Sequence, residues 1–269
     1  MLRCPHFDML ILILIFVLVN SAVGAVYVDY DGAGDFSNIQ EAINASKTGD
    51  VIVVRNGTYS ENLVVDRSVV LRGEEDPVVK GCDLLDPLIT ITSENVTLEG
   101  FTFTDCINDS MNSGAVLVLA DGCRLLNNTI SGSSGQGICL LNSEGHLASG
   151  NTVHDNRYAG FYIFGVNFSH ISGNQVFDNG KCGMHMESSK NNQVAANGIR
   201  ENGAVGIHLI DSLSNELTTN KIRDNAEDGV QMLDSTNNAM VGNEIVDNDL
   251  IGINVYGSCC NFFLANIIE

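Results

Sequence analysis

From Gly114 to Glu269 short apolar runs of period two alternate with clusters of Asn, Asp, Ser and Gly, and the whole arrangement recurs every 23 residues. A glycine followed by an apolar residue opens each unit: Gly114, Gly137, Gly160, Gly183, Gly206, Gly229 and Gly252. Fourteen residues after each glycine stands an asparagine: Asn128, Asn151, Asn174, Asn197, Asn220, Asn243 and Asn266. In the unit from Gly206 to Asp228, Ile207 and Leu209 flank His208, Leu217 sits in a second run and Ile222 in a third. No unit has room for an amphipathic helix of three turns, and no L-x-x-L-x-L pattern occurs. A fixed period of this size marks a solenoid. Three short strands divided by tight turns predict one coil of a parallel β-helix.

In such a coil, residues one period apart lie about 4.8 Å from each other, so columns can be read down the repeat. One inward column holds Ile138, Phe161, Met184, Ile207, Val230 and Ile253. A second holds Leu140, Ile163, Met186, Leu209, Met232 and Val255, and a third runs from Ile130 through Val153, Val176, Ile199, Ile222 and Ile245 to Ile268. The asparagines form ladders at turns, with Asn192, Asn215, Asn238 and Asn261 as a further one. The repeat glycines are expected where the chain bends with positive φ.

Upstream, residues 26–82 start the solenoid. Val26 to Asp29 is a strand, Asp31 to Asp35 a turn, and Ser37 with Gln40 three residues on reads as a capping box. Ile39, Ala42 and Ile43 then make one apolar face of a helix that plugs the open end of the array. Residues 83–113 are less regular coils, with an insertion near Asp105–Asn112. Residues 1–25 read as a secretory signal: Arg3, the apolar run Met9–Val19, then small residues at 21–25. An uncleaved anchor is the alternative, and no other stretch is long and apolar enough to span a bilayer. The array stops within a unit, leaving Phe262, Phe263, Ile267 and Ile268 on an open edge. Further coils, or cover from another subunit by self-association, are therefore expected at that end.

The G-[IVF]-x-[LIMV] and N-x-[IV]-x-x-N patterns of residues 114–269 resemble the repeats of NosD-like and pectin-lyase-like proteins. That resemblance implies an all-β, right-handed, single-stranded parallel β-helix. The segment DGAGDFSNIQEAINASKTGDVIVVRNGTYSENL resembles the amino-terminal cap of pectinesterase-like and NosD-like helices, where its role is architectural. Function does not follow, because this fold hosts lyases, hydrolases, esterases, epimerases, adhesins and noncatalytic scaffolds. Polygalacturonase-like chemistry would need an adjacent D-D pair, and none exists. The pectinesterase-like D-F-I-F-G is here Phe161-Tyr162-Ile163-Phe164-Gly165, without the nucleophilic aspartate. Lyases of the fold use a basic residue, but Arg157, Lys181, Lys190, Arg200, Lys221 and Arg223 build no basic groove in the sequence pattern.

Composition narrows the partners. A net charge of −20 argues against nucleic acid and anionic membrane, and leaves carbohydrate or an envelope polymer as the expected partner of a secreted, cell-surface or periplasmic protein. Sequons at Asn44, Asn56, Asn95, Asn108, Asn127 and Asn167 offer glycosylation. Apart from Cys4, seven cysteines remain, at 82, 106, 123, 139, 182, 259 and 260, in different columns and without zinc-like clustering. They read as small buried hydrophobes.

Two columns carry candidate chemistry. Two residues after each repeat glycine the chain reads Cys139, Tyr162, His185, His208, Gln231, Asn254, with Glu187, Asp211 and Asp234 close by. Tyr162, His185 and His208, with Glu187 and Asp211, could bind a sugar or metal or supply an acid and a base; the alternative is a polar ladder on a solvated face. Copper through the two histidines would lack the nearby Met184 and Met186, which point into the core. The second column is acidic, Asp155, Asp178, Glu201, Asp224 and Asp247, each followed by Asn. Calcium would relieve its repulsion; the alternative is a solvated turn. The expected role is noncatalytic binding of carbohydrate or envelope components, with a carbohydrate-active enzyme or a copper-related accessory protein as the other readings.

Overall fold

The computed structural model describes residues 25–81, 86–107 and 113–269. The signal segment, Cys82, Asn108 and most of the insertion near residues 105–112 lie outside them. The described chain is a right-handed parallel β-helix of three parallel sheets, with 11, 9 and 10 strands. Each regular coil runs from the nine-stranded sheet (Ile207–Ile210) to the eleven-stranded sheet (Glu216–Thr218) and on to the ten-stranded sheet (Lys221–Arg223). Register is a strict step of 23: Ile138 pairs with Phe161, Phe161 with Met184, Met184 with Ile207 and Ile207 with Val230. Every inward column proposed from the pattern therefore exists, and its members up to Ile245 line one continuous buried bore; Val255 and Ile268, in the last coil, are exposed.

Most corners of the regular coils follow one rule. A residue in the left-handed region is followed by a buried Asn or Ser whose side chain turns inward. Ala196 precedes Asn197, Thr219 precedes Asn220, Asn191 precedes Asn192 and Asp211 precedes Ser212, with φ of 54°, 53°, 57° and 47° at the four leading residues. Each buried amide then donates to the next coil and to a backbone carbonyl, as Asn174 Nδ2 does to Asn197 Oδ1 (2.9 Å) and Ala148 O (3.0 Å). The two asparagine ladders read from sequence are joined by a third, Asn156, Asn179, Asn202, Asn225 and Asn248.

Repeat glycines do something other than bend the chain. None of the seven has a positive φ. A Cβ on Gly183 would stand 2.4 Å from Ile199 Cγ2 and 2.8 Å from Gly206 O. Glycine is required there because the ten-stranded sheet's inward side chains and the next coil's backbone fill that space.

The N-terminal helix, Ile39–Ala45, buries Ile39, Ala42 and Ile43 against the bore as expected, but no capping box starts it. Asn38 is the N-cap and makes no side-chain cap bond. The Glu61 carboxylate, from the following coil, accepts from Ile39 N (2.8 Å) and Gln40 N (2.9 Å). Gln40 is used otherwise: its Oε1 accepts from Val64 N (2.7 Å) and its Nε2 donates to Val64 O (3.1 Å). One side chain thus pairs the exposed edge of the nine-stranded sheet, which protects an otherwise open ladder. Glu61→Ala removes two charge-assisted bonds at a helix N-terminus and should cost about 1–2 kcal/mol. A denaturant titration measures it, with faster amide exchange over residues 39–45; unchanged exchange there would show that Asn38 suffices.

Candidate functional site

The outward column of the nine-stranded sheet has the predicted register, Cys139 with Tyr162, Tyr162 with His185 and His185 with His208. Its environment differs from a solvated ladder. Cys139 is fully buried, and Tyr162, His185 and His208 are half-buried. The cause lies in the corner just ahead of each repeat glycine, where Ala159, Cys182, Ala204 and Val205 form a small apolar cluster outside the bore. That cluster walls the column on one side and desolvates it.

Between wall and column lies a cleft of about 310 Å³ lined by Gln136, Tyr158, Tyr162, Lys181, His185 and Glu187, with Ala159 and Cys182 along the wall. The Tyr162 ring stacks on His185 at 5.3 Å, and His185 meets His208 edge-on at 5.1 Å. Glu187 Oε2 lies 3.5 Å from His185 Nε2. Burial lowers both imidazoles, His208 to about 4, with neighbouring His185 adding to the effect on His208. Burial, then the Glu187 charge, holds the Tyr162 hydroxyl above the usual phenol range. At neutral pH the site therefore presents two neutral imidazoles and a protonated phenol. Nε2 of His208 is buried without a hydrogen-bond partner.

Of the sequence candidates, Tyr162, His185, His208 and Glu187 come together. Asp211 does not: it occupies a left-handed corner, exposed, one position past the strand that carries His208. Cys182 was the residue missed. Its thiol and the ring nitrogens of His185 and His208 offer ligand atoms within 4.8 Å of one another, and among the described residues no other group of three such side chains does so. The signal was present as Cys182-Gly183-Met184-His185 with His208 one period on. Seeing it required reading the position before the glycine alongside the position two after it.

The acidic column does not converge. Asp155, Asp178, Glu201, Asp224 and Asp247 are exposed corner residues with φ of 54°, 53°, 55°, 56° and 54°. Asp is tolerated in that conformation because its short side chain bonds locally, which accounts for its recurrence there. His154, Arg200 and Arg223 pair with Asp155, Glu201 and Asp224. Arg200, Lys221 and Arg223, spread out in the sequence pattern, do share one depression on the ten-stranded sheet, where Arg200 lies over Phe177. Among the sequons, Asn44, Asn56, Asn95 and Asn127 are exposed, whereas Asn167 is half-buried. Of the described cysteines, Cys106, Cys123, Cys139 and Cys182 are buried, and Cys259 and Cys260 are exposed. Phe262, Phe263, Ile267 and Ile268 are exposed as expected.

Fold and cleft define a parallel β-helix repeat protein with a half-buried pocket on the flank of its nine-stranded sheet. The chain belongs to the NosD family, described as periplasmic copper-binding protein, whose model matches residues 43–220 and 169–269. A cell surface glycoprotein of Methanothermus fervidus is 32% identical over 127 residues, which cover 46% of this chain and 21% of that protein. The match thus spans about a fifth of that relative's length. Solved structures share the fold. XylC in complex with xylose superposes with a TM-score of 0.71 at 10% identity, covering 87% of this chain and 68% of that one. The A-module of the mannuronan C-5 epimerase AlgE4 of Azotobacter vinelandii gives 0.56 at 15%, covering 86% and 92%. The Dettilon tailspike protein gives 0.64 at 14%, covering 90% and 62%.

Proposed function

We propose that the chain is a cell-surface β-helix module that binds carbohydrate of the envelope, without turnover, in the cleft beside Tyr162. The observation that carries this reading is the cleft's make-up: aromatic side chains at Tyr158 and Tyr162, with Gln136, Lys181 and Glu187 around them. Flat apolar faces suit the C–H faces of a sugar ring, and the few polar groups suit its hydroxyls. The likeness to a cell surface glycoprotein supports an extracytoplasmic location. The near-uniform coils, with no transplanted catalytic motif, support binding over chemistry.

A glycan array on the chain from residue 25 onward, followed by calorimetry on the strongest ligand, tests it. Binding is expected, without product formation, and Tyr162→Ala is expected to weaken it by at least about tenfold, the effect of one aromatic contact. Absence of binding to any glycan overturns the reading. The enzymatic alternative draws on the contact between Tyr162, His185 and Glu187, a proton donor beside a neutral imidazole and a carboxylate. Turnover of a polyuronate that His185→Ala abolishes would replace binding by catalysis.

A further inference from the structure

We propose that Cys182, His185 and His208 form a binding site for one thiophilic d10 ion, Zn2+ or Cu+. Cys182 and His185 sit on one coil and His208 on the next, so their separation is fixed by sheet register and not by a loop. Their ligand atoms already lie within 4.8 Å of one another. Metal–ligand bonds of about 2.0–2.3 Å would place such atoms roughly 3.5 Å apart, a closure that small rotations of three side chains supply.

The repeat provides its own reference for this pocket. The residue before each repeat glycine and the residues two after it on the same and the next coil form one set per coil. One such set is Asp228, Gln231 and Asn254. There the Asp228 carboxylate accepts from Gln231 Nε2 (3.0 Å), Asn254 Nδ2 (2.9 Å) and Ile251 N (3.0 Å), so the pocket is closed by its own polar bonds. Four periods earlier, Gln136 Oε1 similarly takes Ala159 N at 2.6 Å from the corresponding position. The Cys182 set offers a thiol and two imidazoles in place of a carboxylate and two amides, and leaves His208 Nε2 buried and unpartnered. A buried polar nitrogen left in that state is unfavourable, and a bound ion satisfies it.

The donor chemistry selects the ion. One sulfur and two imidazole nitrogens are borderline-to-soft ligands, unsuited to Ca2+ or Mg2+. Coordination takes the imidazoles in their neutral form and displaces the Cys182 proton. The Glu187 carboxylate, 3.5 Å from His185 Nε2, is placed to hold that ring and offset the ion's charge. The cleft provides an access path, since Cys182 and His185 both line it.

The test uses the full chain carrying Cys259→Ser and Cys260→Ser, so that the exposed thiols are silent. ZnCl2 is added in one arm and Cu+, under anaerobic reducing conditions, in another; Co2+ serves as the optical probe. One equivalent of Zn2+ or Cu+ should survive dialysis, and Co2+ should give a thiolate-to-metal charge-transfer band. Cys182→Val and His208→Gln should each weaken binding by more than about 100-fold, beyond the loss expected for a supporting residue alone. Both substitutions install residues the repeat already uses, Val205 and Gln231, so the coils should still form. No retention of either ion, retention that neither variant reduces, or a Co2+ spectrum without the sulfur band would each overturn the proposal. Should one variant fail to give the β-rich circular dichroism of the parent, the other decides. The inference stands apart from the carbohydrate reading: Tyr162→Ala should leave metal retention intact, and His208→Gln, at a position outside the cleft lining, should leave glycan binding intact.

Discussion

Replacing Asn197 by alanine should destabilise the solenoid by about 3–5 kcal/mol. Asn197 Oδ1 accepts from both Asn174 N (3.0 Å) and Asn174 Nδ2 (2.9 Å), while its Nδ2 donates to Ile171 O (3.0 Å) and Asn220 Oδ1 (3.0 Å). Alanine deletes all four bonds, and the Asn174 backbone N–H is left with no acceptor in a place that water does not reach. Some relief remains, because Asn174 Nδ2 keeps Ala148 O and Asn220 Oδ1 keeps the backbone N–H of residue 197. The expected loss is therefore that of one fully orphaned donor and three broken bonds, not four orphans. Chemical denaturation followed by circular dichroism gives the total. Amide exchange localises it, with Asn174 and its neighbours opening first, since each coil leans only on those beside it. Asn191→Ala is the comparison. That residue is exposed and serves as a left-handed corner, so its loss should cost only about 1–2 kcal/mol. Equal effects at the two positions would mean that buried ladders do not hold the coils together.

Gly206→Ala should cost about 3 kcal/mol although it adds a single methyl group. That methyl would stand 2.5 Å from Ile222 Cγ2 and 2.6 Å from Gly229 O. Ile222 is fully buried in the bore, and Gly229 O accepts the Ile207 N–H at 3.0 Å in the nine-stranded sheet. Neither can move without breaking packing or ladder in the neighbouring coil. Gly198→Ala is the control. Its added carbon would meet only the side-chain end of Gln175, which is exposed and can swing away. Alanine there should be neutral or stabilising by about 0.5 kcal/mol, through the entropy glycine loses in a strand. Denaturation midpoints of the two variants measure the difference. Comparable midpoints would return the repeat glycines to a backbone-conformation role, contrary to their geometry.

The bore was legible because its signal is a period. Once residues one coil apart are known to touch, Ile138, Phe161, Met184 and Ile207 must face one way and Cys139, Tyr162, His185 and His208 the other. Corner assignment failed at a different level. Glycine at every repeat start suggests a bend, yet bends fall on Asp155, Ala196, Thr219 and Asn191, residues that take the left-handed region under constraint from the buried amide that follows. Local preference could not show this, since Thr219 is a poor candidate for that conformation. The helix cap failed similarly: Ser37 and Gln40 have the right spacing, but Glu61 comes from the next coil and displaces them.

By itself the sequence determined the coil, its register, the inward columns and the pairing of His185 with His208, because a fixed 23-residue step and alternating polarity leave one way to stack the chain. Only the tertiary structure decided that the outward column is walled and half-dry, that Cys182 leans over it, and that Asp211 and the acidic corners stand apart. Those facts depend on how corners fold over a sheet face. That is set by packing between segments separated in sequence, and periodicity along the chain carries no record of it.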